Sequence, residues 1–299
     1  MVEDEVTIIG AGPAGTSAAI YLQRAGLSPV LLERGEPGGL LRSANWVENY
    51  PGFPDGIPGR DLATRFKDQL RRVGAKVTST EVRSVKRVRR GFQIKSGQGD
   101  RTSRAVILAT GTRPAKVAIR GAAELAGKRV FSELHELPSS LKGKRLIIVG
   151  GGDAAFDYAL GLRERGAQIL VLSRSEPCCL SLLRERTEAL GIEVVIGASP
   201  RAVRRAKDGL VLTCDAGASE VELAGDMLLM ACGRVPNIEV LSPSLRRGMS
   251  ASRKGLPETR VRGLYLAGDV VRDGQRQTGI AVGDGIRAAM LAEEYLGGR

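Results

Sequence analysis

Two glycine-rich runs constrain this chain more than any other feature: Gly10-Ala11-Gly12-Pro13-Ala14-Gly15 and Gly150-Gly151-Gly152-Asp153-Ala154-Ala155. Each follows a run rich in β-branched residues, Val6-Thr7-Ile8-Ile9 and Leu146-Ile147-Ile148-Val149, and each opens an alanine-rich helical stretch. Strand, glycine turn and helix in that order give a G-x-G-x-x-G/A pattern its meaning. The first glycine permits the tight turn and the second lets backbone approach a pyrophosphate. The third position must be small so that the helix packs on its strand, with its N-terminus toward the phosphates. One such unit holds one dinucleotide. Two units imply two dinucleotides and electron passage between them.

The chain has 299 residues, which fits about two domains. Its 42% hydrophobic content allows ordinary cores. No apolar stretch approaches the ~20 residues of a membrane span. The start, Met1-Val2-Glu3-Asp4-Glu5, is acidic and leads into a strand, so the reading is a cytoplasmic chain without a signal peptide. Four cysteines, Cys178, Cys179, Cys214 and Cys232, are too few for a secreted disulfide scaffold. The net charge is +12, with basic clusters at Lys86-Arg87-Val88-Arg89-Arg90 and at Arg201, Arg204, Arg205 and Lys207. Both read first as solvated strand or hairpin edges, where charge discourages edge pairing. An acidic protein partner is the second reading. Nucleic acid is the third, because 4% aromatics offers little base stacking.

Strands are expected at 5–9 and 29–33 around a helix at 13–25, with Glu33 ending the second strand. An acid there accepts hydrogen bonds from a ribose 2′-hydroxyl and favours FAD or NAD. Residues 36–60 are rich in Gly, Pro and Asn and read as an ordered loop, followed by a helix at 60–73. Strand-like segments fill 76–108. A second unit restarts near 144, with a helix at 153–165 and a strand at 168–172. A helix near 180–190 and strands at 193–196, 209–213 and 226–231 follow. A last strand, Leu264–Ala267, precedes a helix at 279–296. The fold class is α/β with two Rossmann-like dinucleotide-binding domains.

The chain resembles the low-molecular-weight thioredoxin reductases, class II pyridine nucleotide-disulfide oxidoreductases. The resemblance is carried by the two fingerprints, Glu33, Gly38-Gly39, Val47-Glu48-Asn49-Tyr50-Pro51-Gly52, Ala109-Thr110-Gly111, Gly233-Arg234-Val235-Pro236-Asn237, Gly268-Asp269 and Arg276-Gln277. It implies a discontinuous FAD-binding domain, 1–114 and 240–299, with an NAD(P)H-binding domain inserted at 115–239, in a homodimer. By position it implies FAD contacts from Gly10, Gly12, Pro13, Ala14, Gly15, Glu33, Arg34, Gly39, Leu40, Asn49, Ala109, Thr110, Gly111, Gly268, Asp269, Arg276 and Gln277. NAD(P)H contacts would come from Gly150, Gly152, Asp153, Ala154, Ser173 and Arg174.

One departure matters most. The family carries a Cys-x-x-Cys before the second fingerprint, and this sequence has none. Counting back from Gly150 without gaps places Glu133 and Glu136 at those positions, flanking His135. Carboxylates cannot perform thiol–disulfide exchange, which proceeds through a mixed disulfide. Glu133 and Glu136 read first as solvated or helix-starting acids and His135 as a surface residue. A proton-donating role beside the flavin is the sharper alternative for all three. Cys178-Cys179 is vicinal and lies near the expected adenosine end of the nicotinamide nucleotide. It reads first as incidental, then as redox or regulatory; one adjacent pair does not make a metal site. Cys214 and Cys232 read as small core residues.

In the second unit the strand ends at Ser173-Arg174-Ser175 without an acid, which favours NADPH and leaves NADH possible. These readings converge on an FAD-dependent NAD(P)H oxidoreductase that passes electrons to an external acceptor. The resemblance extends to a branch without Cys-x-x-Cys, the ferredoxin/flavodoxin–NADP reductases of thioredoxin-reductase type. The sequence ends at Arg299, soon after the last helix, so that branch's C-terminal extension over the flavin is not expected. Two readings stay open beside it: a disulfide reductase using Cys178 and Cys179, and a non-enzymatic dinucleotide-binding sensor. A chain that accepts no nicotinamide also stays open. No metal, membrane or nucleic acid is expected.

Overall fold

The apolar runs of the sequence become the buried strands of two parallel sheets. The structure, a computed structural model, describes residues 2–249, 258–271 and 274–297. The chain divides into two compact units: residues 1–42, 47–113 and 235–299 form one, and 43–46 with 114–234 form the other.

The first unit is built on a seven-stranded sheet. Its parallel part runs Val77–Ser79, Val30–Glu33, Val2–Ile9 and Gly99–Leu108. Gly99–Leu108 serves two partners on its far side. Its first half pairs antiparallel with Gly91–Ser96, whose hairpin partner Val82–Val88 forms the sheet edge. Its last residues pair in parallel with Leu264–Leu266, at Val106↔Leu264 and Leu108↔Leu266. Ala105, Val106, Ile107 and Leu108 are fully buried, so the strand reads as an unbroken apolar run, as expected when elements cover both sheet faces. On one face the alanine stripe of helix Pro13–Arg24 (Ala14, Ala18, Ala19) packs with Ala281, Ala288, Ala289 and Ala292 of helix Thr278–Leu296. The small side chains let the two helix backbones come close. Phe92, Ile94, Val85, Leu241 and Leu245 fill the other face.

The second unit has a five-stranded parallel sheet, in the order Val130–Phe131, Met227–Met230, Arg145–Val149, Gln168–Ser173, Glu193–Ile196. Helix Asp153–Glu164 packs Ala155, Phe156, Ala159 and Leu160 against it. A three-stranded antiparallel sheet, Ser199–Ala206, Gly209–Ala216 and Ser219–Gly225, adds Leu210, Leu212 and Cys214 to the opposite core.

Of the outer strands of that sheet, Ser199–Ala206 carries the basic cluster read as a solvated edge, while Ser219–Gly225 went unread in the sequence. Their exposed positions carry Arg201, Arg204, Glu220 and Glu222, and sheets solvated on one face lack apolar runs. The expected loop at 36–60 contains a 3₁₀ turn, Gly39–Ser43, and the short strands Trp46–Val47 and Ile57–Pro58. Among the described residues, no helix is long and apolar enough to cross a membrane.

Candidate dinucleotide sites

At the first fingerprint the strand Val2–Ile9 ends in Gly10 at φ +104°. A Cβ on Gly10 would lie 2.8 Å from the carbonyl carbon of Ala109, and one on Gly15 3.0 Å from that of Gly10. Only hydrogen fits at either place. Gly12 meets nothing nearer than the Gly39 Cα at 4.0 Å, so its backbone stays approachable. It caps helix Pro13–Arg24 with no side-chain bond, which leaves first-turn N–H groups for an anion.

Glu33 accepts the Ala11 N–H at 2.7 Å through one carboxylate oxygen and the Gly35 N–H at 2.9 Å through the other. It therefore pins the turn it serves. Each oxygen keeps a lone pair for a ribose hydroxyl. Gly38 donates to the Ala11 carbonyl at 2.8 Å, which folds the segment carrying Gly39 and half-buried Leu40 back over the turn. Arg34 is exposed.

Further chain segments converge here. Ala109 donates to Ile9 at 2.8 Å, and the Thr110 hydroxyl donates to the Asn237 carbonyl at 2.6 Å. The Asn237 N–H returns a bond to Gly111 at 3.0 Å. Gly268, at φ +77°, lies where a Cβ would meet the Ala14 methyl at 2.9 Å, which sets half-buried Asp269 beside the fingerprint helix. The Asn49 amide donates to Gln277 Oε1 at 2.7 Å, and Gln277 caps the last helix next to half-buried Arg276.

At the second fingerprint Gly150 has φ +155°, and its Cβ would lie 3.0 Å from the carbonyl carbon of Ala231. Gly152 is open and caps helix Asp153–Glu164 without a side-chain bond. Asp153 Oδ1 accepts the Leu180 N–H at 2.8 Å, and the Cys178 N–H donates to Gly151 at 2.8 Å. The Pro177–Leu180 segment is thus tied across the turn. Ala154 and Arg174 are exposed, while buried Ser173 commits its hydroxyl to the Ser175 carbonyl at 2.6 Å.

In the segment before the second fingerprint, Glu133 caps the 3₁₀ turn Leu134–Glu136. Glu136 accepts the N–H groups of Ser132 and Glu133 at 2.8 and 3.1 Å, completing a capping box. Arg234 grips Glu133 through both carboxylate oxygens, at 2.6 and 3.3 Å, with the side chains 18% and 14% exposed. Glu133 is therefore held by a cation and Glu136 by the turn itself, while His135 is exposed. Nearby, burial pushes the Tyr158 phenol up, with Arg234 opposing.

None of the four cysteines is paired. Cys178 is exposed. Burial pushes the thiols of Cys179 and Cys232 up, and that of Cys214 up to about 11. The Cys232 thiol donates to the Val149 carbonyl at 3.2 Å.

Residues 4–285 match the profile of the pyridine nucleotide-disulphide oxidoreductase family. The chain belongs to this family. It is 32% identical over 312 residues to the thioredoxin reductase of Chlamydia trachomatis, covering 99% of both chains. It is 31% identical over 300 residues to the thioredoxin reductase of Bacillus subtilis, covering 98% of this chain and 94% of that one. The crystal structure of T. acidophilum thioredoxin reductase superimposes with a TM-score of 0.88 at 28% identity, over 98% of this chain and 99% of that one. The fold is the α/β fold of those enzymes, and the cofactors of the family are FAD and NADPH. Both fit the residues present. The glycine turns leave no room for a Cβ, helix starts lack side-chain caps, and one second strand ends in Glu33 while the other ends beside Arg174.

Sequence reasoning missed Gly285. A Cβ there would lie 2.8 Å from the carbonyl carbon of Ala14, inside the fingerprint helix. The available signal was a glycine within a helical pattern, which points to a packing constraint.

Proposed function

We propose that this chain is an FAD-dependent NAD(P)H oxidoreductase that delivers electrons to an external acceptor without a protein disulfide. The observation that supports this reading is the Ser132–Glu136 turn, whose capping box and Glu133–Arg234 pair stand where the resemblance implies a dithiol. A carboxylate held by a guanidinium has no route to a mixed disulfide. Bound FAD would supply hydride acceptance from the nicotinamide and onward electron transfer.

The chain's own residues hold and orient. Gly10, Gly12, Pro13, Ala14 and Gly15 form the pyrophosphate cradle in the discontinuous domain, 1–114 and 240–299. Glu33 takes the adenosine ribose. Arg34, Gly39 and Leu40 close the adenosine side, while Ala109, Thr110 and Gly111 line the turn beside it. Asn49, Gly268, Asp269, Arg276 and Gln277 serve the flavin end. Gly150, Gly152, Asp153, Ala154, Ser173 and Arg174 serve NADPH in the inserted domain, 115–239. The protein would act as a cytoplasmic homodimer. A ferredoxin or flavodoxin is the first acceptor to screen, since the net charge of +12 favours an acidic carrier.

Anaerobic titration of the purified yellow protein tests this. NADPH should bleach the flavin band, and NADH should do so less efficiently. Absence of bleaching by either would overturn the reading in favour of a dinucleotide-binding sensor. Replacing Cys178 and Cys179 together by Ser should leave NADPH-driven acceptor reduction intact. Its loss would instead assign electron transfer to that vicinal pair.

A further inference from the structure

The two basic clusters have different surroundings. Arg201 pairs with Asp215 and Glu220, and Arg204 with Glu222, across the three-stranded sheet. That cluster is neutralised by its own neighbours. The other cluster borders an open surface recess of about 250 Å³ lined by the exposed side chains of Arg87, Arg89, Arg90 and Arg104, with Gly91 and Tyr295. No carboxylate lines it, and among the described residues none of its four arginines has an ion-pair partner. Glu258 and Glu294, which act on Tyr265, do not border it.

The backbone beneath the recess is closely packed. Gly91, at φ +112°, passes so close to Ser103 that a Cβ would lie 3.0 Å from its carbonyl carbon. Gly263, at φ +86°, would place a Cβ 3.0 Å from the Tyr295 ring and 3.1 Å from the Arg104 carbonyl oxygen. Arg87 donates to the Arg262 carbonyl at 2.8 Å and lies over the Phe92 ring at 4.8 Å. Arg262 in turn lies over the Tyr295 ring at 5.3 Å.

Edge protection accounts for the hairpin arginines Arg87, Arg89 and Arg90 but not for Arg104. The edge strand Val82–Val88 is also covered at Val85, which bonds to Val240 at 2.6 Å and to Ser242 at 2.9 Å. Arg104 lies on Gly99–Leu108, an interior strand. The recess is also remote from the first fingerprint. Gly285 meets that fingerprint, and Tyr295 lies ten residues further along the same helix, a rise of about 15 Å.

We propose that this recess is a binding site for a compact phosphate anion carrying several charges, of the diphosphate class. Guanidinium forks match phosphate oxygens two at a time. Four of them with no lining carboxylate match several negative charges in a small volume better than one carboxylate does. The recess falls below the ~300 Å³ lower end of pockets for drug-sized ligands, so a diphosphate group fits where a whole dinucleotide does not. The group can be inorganic pyrophosphate or the diphosphate of a nucleotide.

The test is calorimetric titration of the FAD-loaded protein with inorganic pyrophosphate, in metal-free buffer at fixed ionic strength. Wild type should bind, and the Arg89→Gln/Arg90→Gln variant should bind at least tenfold more weakly. Arg201→Gln/Arg204→Gln carries the same charge change elsewhere and should bind as wild type does. Arg90→Lys keeps the charge, loses the fork and should fall between. Equal flavin content and circular dichroism exclude misfolding. Titration with ADP separates the sources: competition with pyrophosphate and loss in the Arg89/Arg90 variant mark a nucleotide ligand, and independence from both marks the free anion. No pyrophosphate binding by wild type, equal weakening in both double variants, or binding of only a single-stranded oligonucleotide would overturn the proposal.

Discussion

Gly285→Ala is the sharpest test of how the fingerprint helix is seated. The added Cβ would lie 2.8 Å from the Ala14 carbonyl carbon and 3.0 Å from its Cα, with the carbonyl oxygen nearer still. Carbon contacts settle near ~3.5 Å, so roughly 0.7 Å of separation must be created between two closely packed helix backbones. Overpacking of this kind costs about 1–3 kcal/mol, and helix propensity returns about 1 kcal/mol. A net loss of up to about 2 kcal/mol lowers Tm by up to roughly 8 °C in a chain of this size. The strain falls on the first turn of Pro13–Arg24, so flavin retention should fall as well.

Gly283 supplies the control. It lies in the same helix, is exposed, and has nothing within 4 Å of its Cβ position. Gly283→Ala should therefore stabilise, by about 0.5–1 kcal/mol. Thermal melts followed by circular dichroism, with the flavin-to-protein absorbance ratio, compare the two. If both variants shift Tm in the same direction and keep full flavin, the close approach does not constrain the helix.

Four further outcomes follow. Glu133→Gln and Arg234→Gln break a bidentate pair that lies between exposed pairs, worth up to ~1 kcal/mol, and buried ones, which cost ~3–5 kcal/mol to break. Each should lose about 2 kcal/mol in urea denaturation while NADPH-driven flavin reduction keeps its rate; a slowed reduction at unchanged stability would make Glu133 catalytic instead. Arg174→Glu should weaken NADPH binding at least tenfold and NADH binding far less, because a carboxylate repels a 2′-phosphate. Burial raises the Asp157 carboxyl above its ordinary 3.8, against N–H bonds from Asn45 and Trp46, so the folded state holds this proton more tightly than the unfolded chain. Stability then falls as pH rises from that value through the raised one, and Asp157→Asn should gain on wild type over that interval in urea midpoints. With a disulfide reagent at pH 8, exposed Cys178 should react first and Cys214, pushed up to about 11, only after unfolding.

The glycine turns were legible because their constraint is local. Gly10 at φ +104° and Gly150 at φ +155° mark strand-to-helix turns that glycine alone accommodates, and the order of residues around them announces it. The buried strands were legible for a similar reason, as short apolar runs between turn residues. The capping role of Glu133 and Glu136 follows from their spacing of three. What escaped depends on distant partners or on solvated faces. The Arg234–Glu133 pair joins residues 101 apart, and Gly285 acquires its constraint from Ala14 at the other end of the chain. Ser219–Gly225 shows charges where a buried strand shows valine. The hydroxyl of Ser173, expected to face a nucleotide, turns back to Ser175, which no residue pattern announced.

The Ser132–Glu136 turn also bears on where electrons can go. A redox dithiol has two covalent states, and the segment carrying it must accommodate both. This turn is specified for one. Its two orphan N–H groups are filled by Glu136, and its capping residue is clamped by a guanidinium in surroundings where an unpaired charge is costly. Opening it would break the Glu133–Arg234 pair. On the proposed function, electrons have no covalent station in this segment, so the acceptor must meet the cofactor itself. The Cys178→Ser/Cys179→Ser variant decides the point: full turnover with a one-electron acceptor leaves direct transfer as the route, and abolished turnover moves the station to the loop tied over the second fingerprint.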